Sequence, residues 1–184
     1  MLHYPNLDSR TRQSAVQEVD LDLANGEFYF GRRLSPTGTR DWPGLLKEAL
    51  AHHNDAWLAA ELSKNGRLVT TEWVSYRGRS IEKKVPWNAN EMLAEGEFNR
   101  FYIRGLARCA EEDAIPGLVV YRAKAVRQPR PESEALIGST LIPRELLADL
   151  RSSQGRDTML GMPGGPNSGL SVRLPSQPTS SGSA

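Results

Sequence analysis

The chain has 184 residues, of which 39% are hydrophobic and 24% charged, enough for one domain with a real core and some polar extension. Twenty-three Lys and Arg against 22 Asp and Glu leave a net charge of +1, so bulk charge gives no reason to expect a polyanion as partner. One cysteine, Cys109, excludes a disulfide framework and a cysteine-based zinc cluster, and no apolar run approaches the ~20 residues of a membrane span.

The opening MLHYPNLDSR does not read as a signal peptide, and a soluble chain from a reducing compartment is expected. Residues 1–25 are polar and read as an N-terminal arm. Within them Val19-Asp20-Leu21-Asp22-Leu23 alternates at period two, which predicts a strand or extended segment. Asn25-Gly26 is a turn signal, and Glu27-Phe28-Tyr29-Phe30 a short strand after it.

Ser35-Pro36-Thr37-Gly38 is a loop by turn chemistry. Asp41 is placed to cap a helix starting at Trp42-Pro43. Helical spacing continues to Leu62, with a break at Asn54-Asp55 where Asp55 caps a second short helix. Residues 68–76 and 80–85 read as a β-hairpin turning at Arg77-Gly78. Asn88 followed by Glu91 resembles a capping box and opens a helix to about Glu112. Ala94, Phe98, Phe101, Gly105 and Cys109 share its apolar face, which makes an inert, buried thiol of Cys109. Leu118–Tyr121 is a buried strand, Arg127–Pro131 a break, and Ile142–Leu150 a short amphipathic helix.

The last 32 residues, 153–184, hold six Gly, four Pro and seven Ser. Ordering such a segment costs about 1–2 kcal/mol per residue in backbone entropy. Its few large apolar side chains return only about 1.5–3 kcal/mol each on burial. The segment is therefore expected to gain a fixed shape on another chain's surface. Leu170-Ser171-Val172-Arg173-Leu174 alternates and suits strand addition to a neighbour.

No set of residues commands a chemistry, and no catalytic residue, metal site or cofactor is assigned. His52 and His53 are adjacent on a helix, point about 100° apart and do not share a metal readily; one core-facing and one exposed ring is expected, with His3 remote in the arm. Glu82-Lys83-Lys84 on a strand is similar to the second half of the restriction-endonuclease-like signature. With Glu72 on the preceding strand it defines a rival Mg²⁺-nuclease reading through Glu72, Glu82 and Lys84. That reading requires both carboxylates to reach one metal position. Arg100, Arg104 and Arg108 form a stripe that hairpin residues Arg77, Arg79, Lys83 and Lys84 could extend into a nucleic-acid face. Glu97 and Glu112 stand at pairing distance along the helix, favouring a paired or protein-contact face instead. The run Gly161–Gly169 lacks the strand and the Lys-Ser/Thr of a phosphate loop.

Three stretches, Ser35-Pro36-Thr37-Gly38 with Trp42-Pro43-Gly44-Leu45-Leu46, Ala94 to Leu106, and Pro163 to Val172, together resemble a group of tailed-bacteriophage and prophage head-associated proteins of unassigned activity. The resemblance implies a non-enzymatic virion component, minor head, cement or connector. It would be assembled in the host cytoplasm and bound to capsid or portal subunits or to further copies of itself. It transfers no catalytic residues. The expected architecture is α+β: an N-terminal arm (1–25), a core (26–152) with a small, mostly antiparallel sheet on two main helices, and a C-terminal arm (153–184). The expected contact residues are Leu170, Val172 and Leu174 in the arm, and Arg100 and Arg104 on the core.

Overall fold

The computed structural model describes residues 1–153, 158, 160–162 and 168–176. In chain order these form α1 (Ser9–Asn25), α2 (Pro36–His52), α3 (Asp55–Leu62), β1 (Thr71–Tyr76), β2 (Arg79–Lys84), α4 (Ala89–Glu112), β3 (Leu118–Arg122), α5 (Pro131–Leu136), β4 (Thr140–Leu141), α6 (Pro143–Ser152) and β5 (Leu170–Arg173). The class is α+β, dominated by helices, with small antiparallel sheets.

The first 25 residues are mostly helix, where a strand or extended arm was expected. Five alternating residues cannot separate a strand from a helix seen side-on, and here the longer spacing prevails. Thr11, Ser14, Ala15, Glu18, Val19 and Asp22 recur every three or four positions and are buried, while Leu21 is exposed. Asp8 caps the helix by accepting the Thr11 N–H at 2.8 Å, and Gly26 ends it at φ 70°. The helix crosses α4 at Gly105, where a Cβ would stand 2.7 Å from the backbone of both Ala15 and Thr11. The predicted strand at 27–30 is irregular chain; Phe28 packs on Phe101, and Trp42 donates its indole N–H to Tyr29 O at 3.1 Å.

α2 starts six residues before the expected Trp42. Ser35 rather than Asp41 is its cap, accepting the Gly38 N–H at 3.1 Å, and Pro36 occupies the first turn. α3 is capped by Asn54, which accepts the Trp57 N–H at 3.0 Å, leaving Asp55 inside the first turn. The central helix α4 lies where the periodicity predicts it, though Asn88 makes no side-chain cap.

Two apolar clusters share α4. One gathers Ala15, Val19, Trp42, Leu46, Leu50, Leu58, Leu62, Phe98 and Phe101 between α1, α2, α3 and the first half of α4. The other gathers Tyr102, Ile103, Leu106, Leu118, Val120, Leu146, Leu150, Leu170 and Val172 between its second half, α6 and the sheet β4-β3-β5. Tyr4 and Leu7 pack against both, so the segment before α1 ties the halves together.

The segment expected to lie on a neighbour is instead the edge strand of the chain's own sheet. β5 pairs antiparallel with β3 in the register Val120↔Val172 and Arg122↔Leu170. α4 locks it from behind. Asn99 donates to Leu170 O at 2.8 Å and accepts from Ser171 Oγ at 2.7 Å, and the Tyr102 hydroxyl donates to Val172 O at 3.2 Å. The ordering cost of these residues is met within the chain, because its own α4 and β3 supply the apolar surface and the hydrogen-bond donors and acceptors. Most of the expected glycine-rich run, 163–167, and residues 177–184 lie outside the described residues.

Candidate functional site

Each residue singled out from sequence has a definite place. Leu170 and Val172 have no exposed surface and fill the second apolar cluster, which corrects the expectation that they meet a partner. Leu174, half-buried, packs on the same cluster, and Asn6 accepts its N–H at 2.9 Å.

Arg104 has no exposed surface and answers two buried carboxylates of α1, Glu18 and Asp22. Arg100 is buried and donates to Leu150 O at 3.2 Å and Ser153 O at 3.1 Å. Arg108 reaches Glu112 at 3.3 Å. Arg100 and Arg104 thus belong to an internal seam joining α4 to α6 and α1, not to a face open to a partner or to phosphates, while Arg108 at the end of the stripe is partly exposed. Burial by itself would raise the Glu18 pKa; hydrogen bonds from Arg151 and the charge of Arg104 outweigh it and hold the carboxyl below its usual range.

His52 is exposed and His53 half-buried, stacked on Trp57 with ring centroids 4.3 Å apart, so neither faces the core. Cys109 is buried and shares a hydrogen bond with Ser14 Oγ at 3.3 Å. Among the described residues no cluster of three or more His, Cys, Asp or Glu is placed to hold a metal ion.

The nuclease geometry fails on register. Trp73 pairs with Glu82 and Glu72 with Lys83 across the hairpin. Directly opposed residues share a face, and neighbours alternate, so Glu72 and Glu82 point to opposite faces. Glu72 is engaged by Arg33 in a bidentate pair of 2.9 and 2.7 Å, which holds its carboxyl below the usual range. Glu82 and Lys84 do share a face, as the sequence predicts.

What remains available to other molecules is the hairpin itself. Trp87 (88% exposed) and Trp73 (70%) are the most exposed large apolar side chains among the described residues, and Tyr76 is 53% exposed. Arg77, Arg79, Lys83 and Lys84 of the same hairpin are exposed as well, with Glu82 the one carboxylate from Tyr76 to Lys84. Arg77 lies 5.4 Å from the Tyr76 ring centroid and Lys83 5.8 Å from it. The residue types forming this patch were legible in the sequence. Their exposure was not, since Trp73 and Tyr76, which point to opposite faces of β1, also suit a strand covered on both sides.

The hairpin springs from a rigid base. Ser35 N–H donates to Arg67 O at 2.9 Å and Val69 N–H to Arg33 O at 3.0 Å, around the bridge Leu34↔Leu68. Arg67 is pinned by Asp41 at 2.9 Å and by Glu61 O at 2.7 Å. Gly38 at the start of α2 leaves room for this crossing; a Cβ there would sit 2.0 Å from Arg67 O. At the tip Arg77 and Gly78 both take positive φ, 49° and 76°, as a two-residue hairpin turn requires.

Among the described residues no helix is long and apolar enough to cross a membrane. Comparison with known proteins yields no matching family model, no matching curated protein and no matching solved structure.

Proposed function

We propose that this chain is a non-enzymatic structural component of a tailed-phage head, bound to capsid or portal subunits, and that the hairpin 71–84 with Trp87 is its docking arm. The observation that carries the reading is the concentration of exposed Trp, Tyr and Arg on one two-stranded arm with a fixed base. These residue types dominate the energy of protein interfaces when they enter a partner's pockets. Leaving two indoles in water is costly for an isolated chain, and their burial in an assembly would offset that cost. The resemblance of the three sequence stretches to phage head-associated proteins supplies the setting. The contact element differs from the one expected, because the C-terminal strand is spent inside the fold.

The test is mass spectrometry of particles purified from a strain carrying the gene. The wild-type chain is expected at fixed copy number per particle. The double variant Trp73→Ala/Trp87→Ala, folded to the same Tm, is expected to be lost from particles. Retention of the double variant would remove the hairpin as the arm, and absence of the wild-type chain would remove the head-component reading.

A further inference from the structure

The hairpin is the whole of its sheet among the described residues, with order β1-β2, so both ribbon edges lack a strand. An isolated pair of strands is marginal in water, and open edges are normally blunted by charge. The two edges differ. β2 carries Arg79, Lys83 and Lys84, which discourage pairing. β1 reads Thr-Glu-Trp-Val-Ser-Tyr, and its single charge, Glu72, is already neutralised by Arg33.

Backbone phase shows which groups of β1 are free. Tyr76 and Arg79 flank the two-residue turn and so form a hydrogen-bonded pair. The Val85 N–H to Thr70 O bond of 2.9 Å fits the same alternation. The even positions 70, 72, 74 and 76 therefore bond β2, while Thr71, Trp73 and Ser75 direct N–H and C=O outward. Val69, the preceding odd position, already uses its outward N–H on Arg33. Residues 33–35 thus begin a third strand beside this edge, and the turn in which Leu34 N–H bonds Gly31 O takes the chain away before Thr71.

We infer that the outward edge of β1 receives an extended, acidic segment of another protein chain, which continues the third strand that residues 33–35 begin. This rests on the docking-arm reading and names the partner's form and chemistry. Thr71, Trp73 and Ser75 supply alternating donors and acceptors to the incoming backbone. An aliphatic or aromatic residue of the segment packs beside Trp73. Acidic residues on its other face answer Arg79 and Lys83, with Arg77 at the turn and the exposed Arg32 beside Glu72, and on that face the hairpin itself carries only the engaged Glu72. A second copy of this chain fits less well, because its own β1 would bring just the Glu72 already held by Arg33.

The test is selection of a displayed random 12-residue peptide library on the full chain. The bound sequences are expected to alternate apolar and acidic residues. A synthetic peptide of the selected sequence is expected to slow amide exchange at Thr71, Trp73 and Ser75 at least tenfold. Ser75→Pro removes one outward donor without touching the ladder to β2 and is expected to weaken the peptide at least tenfold. Lys83→Glu/Lys84→Glu, which leaves the β1 edge intact, is expected to weaken it similarly. Four results would each overturn the inference: no alternating acidic consensus, binding by either variant as tight as by the unsubstituted chain, protection elsewhere than β1, or self-association through the hairpin. Displacement of the peptide by oligo-dT with steep salt dependence would also overturn it, in favour of a nucleic-acid partner. Loss of Trp73→Ala/Trp87→Ala from particles alongside a failed selection would leave the head-component reading standing and strand addition refuted.

Discussion

Arg104 grips Asp22 across the helix crossing, with Nη1 and Nη2 each 2.7 Å from a different oxygen of the carboxylate. The same guanidinium reaches Glu18 Oε2 at 2.9 Å, and Arg151 reaches Glu18 Oε1 at 2.6 Å. Buried charge of this kind is costly to desolvate and tolerable only when every partner is present. The seam therefore fixes how α1, α4 and α6 meet.

Arg104→Met is expected to cost about 3–5 kcal/mol at pH 7 in urea unfolding, since it strands the buried Asp22 carboxylate and leaves Glu18 with Arg151 as its main partner. Glu18 has a folded-state pKa below its unfolded one. Its stabilisation is full above the unfolded value and is lost as pH falls through the folded value. The penalty of Arg104→Met should accordingly shrink on acidification. A penalty that stays constant between pH 7 and pH 4 would contradict the ionic account.

Asp55 works in the opposite sense. It has no exposed surface; Oδ2 accepts the Leu2 N–H at 2.8 Å, and Oδ1 has no partner. Burial raises its pKa, so the folded chain holds the proton more tightly than the unfolded one. The resulting penalty is absent below the unfolded pKa and complete above the folded one. The Tm difference between Asp55→Asn and wild type should move in favour of Asn from pH 4 to pH 7. Movement the other way would show that the carboxylate is stabilised where it lies.

Gly105 sets the distance between α1 and α4. Gly105→Ala places a methyl 2.7 Å from two backbone atoms of α1 and is expected to cost about 1–3 kcal/mol, read as a lower Tm with unchanged helical circular dichroism. Gly96→Ala on the same helix meets nothing within 4 Å and should be neutral or stabilising. Equal effects at the two positions would dissociate the cost from the crossing.

Leu170→Ala should cost about 2–5 kcal/mol, as for any large buried apolar side chain. Trp73→Ala should change stability by less than about 0.5 kcal/mol, because the indole is 70% exposed. Chemical denaturation of the two variants distinguishes a core strand from an arm. The reverse ranking would mean that the C-terminal strand is detachable and the hairpin is part of the core.

Local signals determined much of the chain. The periodicity of 88–112, the Arg77-Gly78 turn, the strand at 118–121 and the helix after Ile142 all rest on short-range pattern, and the structure places them there. Tertiary context decided the rest. Val19 to Leu23 alternates like a strand, yet its buried Asp22 is explained only by Arg104, 82 positions away. Leu170 to Arg173 looked too weak to hold a shape, yet Asn99 and Tyr102 of α4 secure it. Trp73 and Glu82 declare their shared face only once the strands are paired. A pattern of apolar residues states which side chains prefer to leave water. It does not state which distant surface receives them, and so the buried seam and the exposed hairpin had to be read from the folded chain.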